Sequence, residues 1–106
     1  MTELALQILL SLADGPAHGY AIGKDIEERS GGRLNPATGS LYQVIKRLTD
    51  DGLIRPLAAP PSAADERRKY FGLTVAGRQA AAAELRRLEE IVHLGRKRQM
   101  HKAVAR

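Results

Sequence analysis

The sequence holds no cysteine and no tryptophan, and its aromatic residues stop at three tyrosines and one phenylalanine. Without cysteine there is no disulfide, no thiolate zinc site and no cysteine nucleophile, a composition that suits a reducing compartment. No apolar run approaches about 18 residues, so no membrane partner is expected. The opening MTELALQILLSLADG is apolar but carries acidic Glu3 and no basic leader. It therefore reads as a helix, not a signal peptide, and a cytoplasmic location is expected. With only Tyr20, Tyr42, Tyr70 and Phe71 as aromatics, the core must be built mostly from Leu, Ile, Val and Ala. At 106 residues the chain is about one domain. Its core is small, and a second copy of the chain would add burial.

Enzyme chemistry is thinly supplied. His18, His93 and His101 are the three histidines, and the last two lie eight apart, away from the i, i+4 spacing of a helical metal pair. Ser40 sits in Thr-Gly-Ser-Leu, not in a nucleophile elbow. Gly15, Gly19 and Gly23 are not followed by the Gly-Lys-Ser/Thr of a phosphate loop. Neither an enzyme, a metal site nor a cofactor is expected.

Charge is plentiful and uneven. Residues 1–53 hold five Lys/Arg against seven Asp/Glu, net −2, while residues 54–106 hold twelve against five, net +7. A basic half suggests a polyanion partner, although an arginine-rich solvated helix has the same composition.

The periodicities give an order of elements. Leu4, Ile8 and Leu12 make one stripe of a helix over 2–14, with Ala5 and Leu9 beside it. Leu6 and Leu10 fall on another face, as on a helix that packs on its own domain and on a partner. A second helix covers 18–30, with Ile22 and Ile26 inward and Lys24, Asp25, Glu27, Glu28 and Arg29 toward water. The third helix lies within Asn35–Gly52, where Leu41, Ile45 and Leu48 define one face. Leu53–Leu57 then reads as a strand whose Pro56 marks an edge. Residues 58–66 form a Pro-rich loop, and Arg67–Leu73 a second strand, completing a hairpin. Thr74 is the expected N-cap of a long last helix. Along it Ala81, Leu85, Leu88 and Val92, broadened by Ile91, make about two heptads of a helix–helix seam. The fold class is thus mainly α with a small β-hairpin. Three helices followed by a hairpin is a winged helix-turn-helix, and a long C-terminal dimerisation helix follows it. The division expected is 1–73 for the winged-helix domain and 74–106 for the last helix and a basic tail.

Five blocks then stand in a familiar order: His18-Gly19-Tyr20-Ala21-Ile22, Gly39-Ser40-Leu41-Tyr42, Arg47-Leu48 with Gly52-Leu53-Ile54, Arg68-Lys69-Tyr70-Phe71, and Leu73-Thr74-x-x-Gly77. In them the chain resembles the PadR-like family of winged-helix transcriptional regulators, of the short type with one C-terminal helix. The resemblance implies a homodimeric repressor that binds double-stranded DNA at a palindromic operator. It also implies a last helix packed on the partner chain, commonly on the partner's first helix. Leu6, Leu10, Leu85, Leu88, Ile91 and Val92 are the expected interface. Some relatives bind flat aromatic drugs between paired tryptophans at the dimer centre, a mode for which this chain lacks the tryptophan. Any small-molecule effector is unknown.

The DNA contacts expected come from three places. Helix starts expose unpaired N–H groups that suit phosphate, which singles out His18, Gly19 and Tyr20, and likewise Thr38, Gly39 and Ser40. On the third helix Gln43 and Lys46 are placed to read bases, since Gln pairs with adenine and Lys with guanine. Two roles suit Tyr42, phosphate binding or core, and two suit Arg47, phosphate binding or pairing with Asp50 or Asp51. Arg67, Arg68 and Lys69, with Arg55 as a further member, read as a wing gripping phosphates or as charges guarding a strand edge. The tail cations Arg96, Lys97, Arg98 and Lys102 fit flanking DNA or simple solvation equally. Two other readings stay open: a winged helix that docks another protein, and a ligand sensor with its site at the dimer centre.

Overall fold

The computed structural model describes residues 1–63 and 67–100, and of Thr38 only the backbone. The end of the 58–66 loop and the tail residues His101 and Lys102 lie outside the described residues.

Helix α1 runs Glu3–Ser11, and Thr2 caps it by accepting from the Ala5 N–H at 3.2 Å. Strand β1 is Ala17–His18, α2 is Gly19–Arg29 and α3 is Thr38–Asp50. Strands β2, Ile54–Leu57, and β3, Tyr70–Leu73, follow, and α4 covers Val75–Lys97. The order matches the reading from periodicity, with one addition. Among the described residues the sheet has three antiparallel strands in the order β1-β3-β2, not two. Ala17 stands opposite Phe71 and His18 opposite Tyr70, so His18 belongs to a strand and not to the second helix as expected. Pro56 lies in an edge strand, opposite Phe71, where its missing N–H costs no ladder bond.

The core forms where the inward stripes converge. Ile8, Leu9 and Leu12 of α1 meet Ile22 and Ile26 of α2, Leu41, Ile45 and Leu48 of α3, and Ile54 and Phe71 of the sheet. Burying each such side chain contributes about 1.5–3 kcal/mol. A polar clasp fixes α2 on α1. The Ser11 hydroxyl donates to Asp25 at 2.8 Å, and Arg29 donates to Asp25 at 2.9 Å, to the Ser11 hydroxyl oxygen at 2.8 Å and to the Gln7 carbonyl at 3.2 Å. Arg33 reaches back to the Glu3 carboxylate at the head of α1.

Thr74 does what its position promised and more. Its hydroxyl accepts from the Gly77 N–H at 3.0 Å and donates to the Gly52 carbonyl at 2.7 Å, tying the start of α4 to the turn after α3. Gly77 lies so close to that turn that an added Cβ would stand 1.9 Å from the Leu53 carbonyl oxygen. From Val75 to about Glu84, α4 belongs to the body: Ala81 is buried and Arg78 donates to the Ala13 carbonyl at 3.1 Å.

Beyond that point α4 presents Leu85, Leu88, Ile91 and Val92 to solvent, the last two more than half exposed. The expectation for α1 needs correction. Leu6 was assigned to a face left for a partner, yet it is only 7% exposed. The cause is that α1 is packed by α2, α3 and α4 together, so it has little free face. Leu10 is half-buried against the same core.

Candidate nucleic-acid interface

Helix α3 carries its core residues on one side, so the 3.6-residue period places Gln43 and Lys46 on the other, and both are exposed. Its N-cap, Ala37, makes no side-chain bond to the helix start. The first N–H groups of α3, those of Thr38, Gly39 and Ser40, therefore keep their donor capacity at the positive end of the helix dipole. Ser40 and Gly39 are exposed beside them. Lys46 donates to Asp50 at 2.8 Å across one helical turn, and this pairing raises the lysine above its ordinary value. Asp50, one of the two carboxylates anticipated for Arg47, is thus taken by Lys46.

The start of α2 differs. His18 is its N-cap: the imidazole Nδ1 accepts from the Ala21 N–H at 3.1 Å. Burial first, and the Arg68 charge second, hold this histidine below its ordinary value. Gly19 is buried because the Tyr42 ring covers it, and a Cβ there would stand 2.2 Å from the Tyr42 hydroxyl. Tyr42 is consequently neither of the two things expected of it alone. It leaves α3, crosses to the first turn of α2, and remains 44% exposed.

Neighbouring grooves connect these residues. One is lined by Gly19, Tyr20, Lys24, Glu27, Pro36 and Tyr42. A second, between α3 and the wing, is lined by Tyr42, Lys46, Thr49, Pro56 and Lys69. A third is lined by His18, Tyr20, Lys24 and Arg68 together with the carboxylates Asp25 and Glu28. Tyr42 is common to the first two, and Tyr20 and Lys24 to the first and third, so α2, α3 and the wing present one continuous surface.

The basic triplet Arg67, Arg68 and Lys69 is exposed, but it precedes β3 in the chain and does not lie on the strand as expected. Strand β3 starts only where Tyr70 finds partners on both sides, His18 in β1 and Leu57 in β2. Lys69 faces α3, and Arg68 faces α2 with its guanidinium carbon 5.7 Å from the Tyr20 ring centroid. Arg47 and Arg55 are not brought into this surface. Arg47 lines a depression with Met1, Val44 and Asp51, and Arg55 one with Asp14 and Arg78. Lys24 is the residue that sequence reasoning missed. Its sequence context is that of a solvated helix charge, yet it lies one helical turn from Tyr20 with its ammonium 6.0 Å from that ring. Among the described residues, no three His, Asp or Glu side chains gather as a metal ion would require.

Comparison with known proteins bears on the fold that carries this surface. The chain is 37% identical over 87 residues to the transcriptional regulator Rv3488 of Mycobacterium tuberculosis, covering 81% of this chain and 76% of that one. It is also 44% identical over 82 residues to an uncharacterized 37.1 kDa protein in transposon TN4556 of Streptomyces fradiae. It spans only 22% of that protein's length. A PadR family transcription regulator of Clostridium difficile R20291 has the same fold, with a TM-score of 0.80 at 23% identity over 91% of this chain and 97% of that one. PadR of Bacillus subtilis, solved in complex with operator DNA, gives a TM-score of 0.67 at 28% identity, over 79% of this chain and 47% of that one. A family description, that of the transcriptional regulator PadR-like family, matches residues 8–83. The chain, with its three helices, small wing and long last helix, belongs to this family of transcriptional regulators and not to an enzyme class.

Proposed function

We propose that the protein is a homodimeric, sequence-specific DNA-binding regulator, acting as a repressor at a (pseudo)palindromic operator. The observation that carries this reading is the continuous surface linking the α2 start, α3 and the Lys69 side of the wing. Lys46 and Lys69 line one groove of it. In this reading Gln43 and Lys46 read base edges in the major groove. Tyr20, Thr38, Gly39, Ser40 and Tyr42 hold phosphates at the two helix starts, and Arg67, Arg68 and Lys69 hold them from the wing, while Gly19 lies covered by the Tyr42 ring and serves to let that ring pack close. Arg47 lies off this surface and at most touches flanking backbone.

The apolar row Leu85, Leu88, Ile91 and Val92 on the far half of α4, with Leu10 of α1, supplies the contact to the second copy. Two copies would then set their α3 helices in successive major grooves, about 34–36 Å apart. The operator-bound relative from Bacillus subtilis supports this docking by analogy. Selection of bound duplexes from random DNA tests it. Recovery of a two-fold symmetric site with half-sites about one helical turn apart is expected. Recovery of unrelated sequences, with no affinity above that for bulk DNA, would contradict the reading and favour docking to another protein.

A further inference from the structure

His18 sits where three parts of the fold meet. Its backbone is in β1, opposite Tyr70 of β3, and its side chain caps α2. The cap fixes the chemistry of the ring. An N–H donor at Nδ1 demands a lone pair there, so the neutral imidazole carries its proton on Nε2. Arg68 Nη1 lies 3.0 Å from Nε2 and 3.4 Å from Nδ1. A guanidinium only donates, and a protonated Nε2 cannot accept, so this contact is not a hydrogen bond. The two distances say what it is. An atom approaching Nε2 in the ring plane, along its outward bond direction, would stand far from Nδ1. An in-plane atom nearly equidistant from both nitrogens would overlap Cε1, so these distances put Nη1 over the face of the ring. The guanidinium therefore lies as a cation on the face of a neutral imidazole. Tyr20 extends the seat: its ring lies 6.3 Å from the imidazole at 23°, with Arg68 5.7 Å from its centroid. Tyr70 braces the imidazole edge-on at 5.3 Å and 90°.

We propose that His18, as the neutral Nε2–H imidazole, helps to position Arg68, so that the wing and the first turn of α2 meet DNA as one surface. This deepens the DNA-binding reading above and rests on it. His18 is then a positioning residue, and not the phosphate ligand that its place at a helix start suggests. Protonation acts on both contacts at once. It removes the lone pair that caps α2, and it sets a like charge beneath Arg68. Among the described residues, the other titratable or charged groups around the ring are Tyr20, Lys24, Asp25 and Glu28 on α2 and Tyr70 on β3. The two cations, Arg68 and Lys24, flank the Tyr20 ring. Burial and Arg68 hold the imidazole below its ordinary 6.5, so the folded protein resists the proton that would undo the seat.

Two measurements on the full chain decide the matter. Without DNA, nitrogen NMR of the histidine ring is expected to show the Nε2–H tautomer at pH 7.5, titrating below 6.5. Arg68→Gln, which leaves His18 and the cap intact, is expected to raise that titration. An Nδ1–H tautomer, or a titration that Arg68→Gln leaves unmoved, would overturn the proposal. With a duplex obtained by selection, binding is compared at about pH 7.5 and 5.5, on either side of the unperturbed histidine value. The comparison is between the natural chain and His18→Asn, whose side chain can cap the helix but has no ring and no titration. Relative to His18→Asn, the natural chain is expected to lose several-fold in affinity as pH falls. A relative gain would make the imidazolium a phosphate ligand and overturn the positioning role. If the natural chain binds no duplex at pH 7.5, the DNA reading fails and the shared-surface claim falls with it, while the tautomer and titration still decide whether His18 seats Arg68.

Discussion

Lys46 and Asp50 share one turn of α3, and their pairing decides what Lys46 can offer. The salt bridge is exposed, so it contributes little to stability. Its consequence is electrostatic: a carboxylate stands on the same exposed face as Lys46, the lysine proposed to read bases. Asp50→Asn is expected to raise affinity for random duplex DNA, because it removes one negative charge from the surface proposed to face phosphates. An unchanged or lower affinity in a fluorescence titration would contradict this. Lys46→Ala should cost about 1–3 kcal/mol with the preferred duplex and relax the preference at one base position. Uniform weakening across all sequences would make Lys46 a phosphate contact instead. Gly77 is a different kind of residue, set by space alone. Gly77→Ala drives a methyl into the Leu53 carbonyl, where backbone must move. A loss of about 1–3 kcal/mol is expected, as for other overpacked sites. Urea unfolding would read it as a lower midpoint at unchanged slope. An unchanged midpoint would show the α4–turn contact to be loose.

At the scale of elements, α1 and α2 are held by a polar clasp as well as by their apolar stripes. Burial pushes the Asp25 carboxyl up, but the Ser11 hydroxyl and Arg29 outweigh it and hold it below its ordinary 3.8. The depressed carboxylate therefore contributes stability that is fully present above pH 3.8 and is lost as pH falls through its lower folded value. Asp25→Asn is expected to cost under about 1 kcal/mol at neutral pH, since the pair is partly exposed. The gap should close as the natural chain is acidified below its folded value. A gap that persists there would assign the cost to the lost Ser11 bond alone.

Helix α4 makes a second claim at this scale. Leu88→Glu with Val92→Glu is expected to shift the protein from dimer to monomer size in light scattering, with its helical circular dichroism kept. Both residues lie on the exposed far half of α4, outside the monomer core. A dimer that survives the double change would move the interface elsewhere.

The elements were also what could be read from residues alone. The stripes of α1, α2, α3 and the Thr74 cap were legible because they are local and periodic. Strand β1 was not, since two residues carry no alternation and exist as a strand only through β3. The burial of Leu6 was hidden for a related reason. A helix enclosed on several sides and a helix with a partner-facing side have the same all-round apolar pattern. At the candidate site, the exposed face of α3 followed from its period. The crossing of Tyr42 onto Gly19 and the seating of Arg68 on His18 did not, because each joins elements far apart in the chain.

At the scale of the molecule, the body and the projecting half of α4 divide the work. The chain measures 51 × 28 × 23 Å, and its long axis reflects a helix that runs past its own core with an apolar row exposed. The body presents helix starts, exposed α3 and basic wing on a continuous surface, while the net charge of +5 favours a polyanion. The claim that joins these observations is that this surface binds duplex DNA through phosphates and reads it through α3. The most direct measurement is the affinity for a selected duplex as a function of salt, for the natural chain and for Gln43→Ala with Lys46→Ala. The natural chain should bind less tightly as salt rises, linearly on logarithmic axes, and the double variant should keep much of that salt dependence while losing preference over random duplex. Binding indifferent both to salt and to the double substitution would contradict the account.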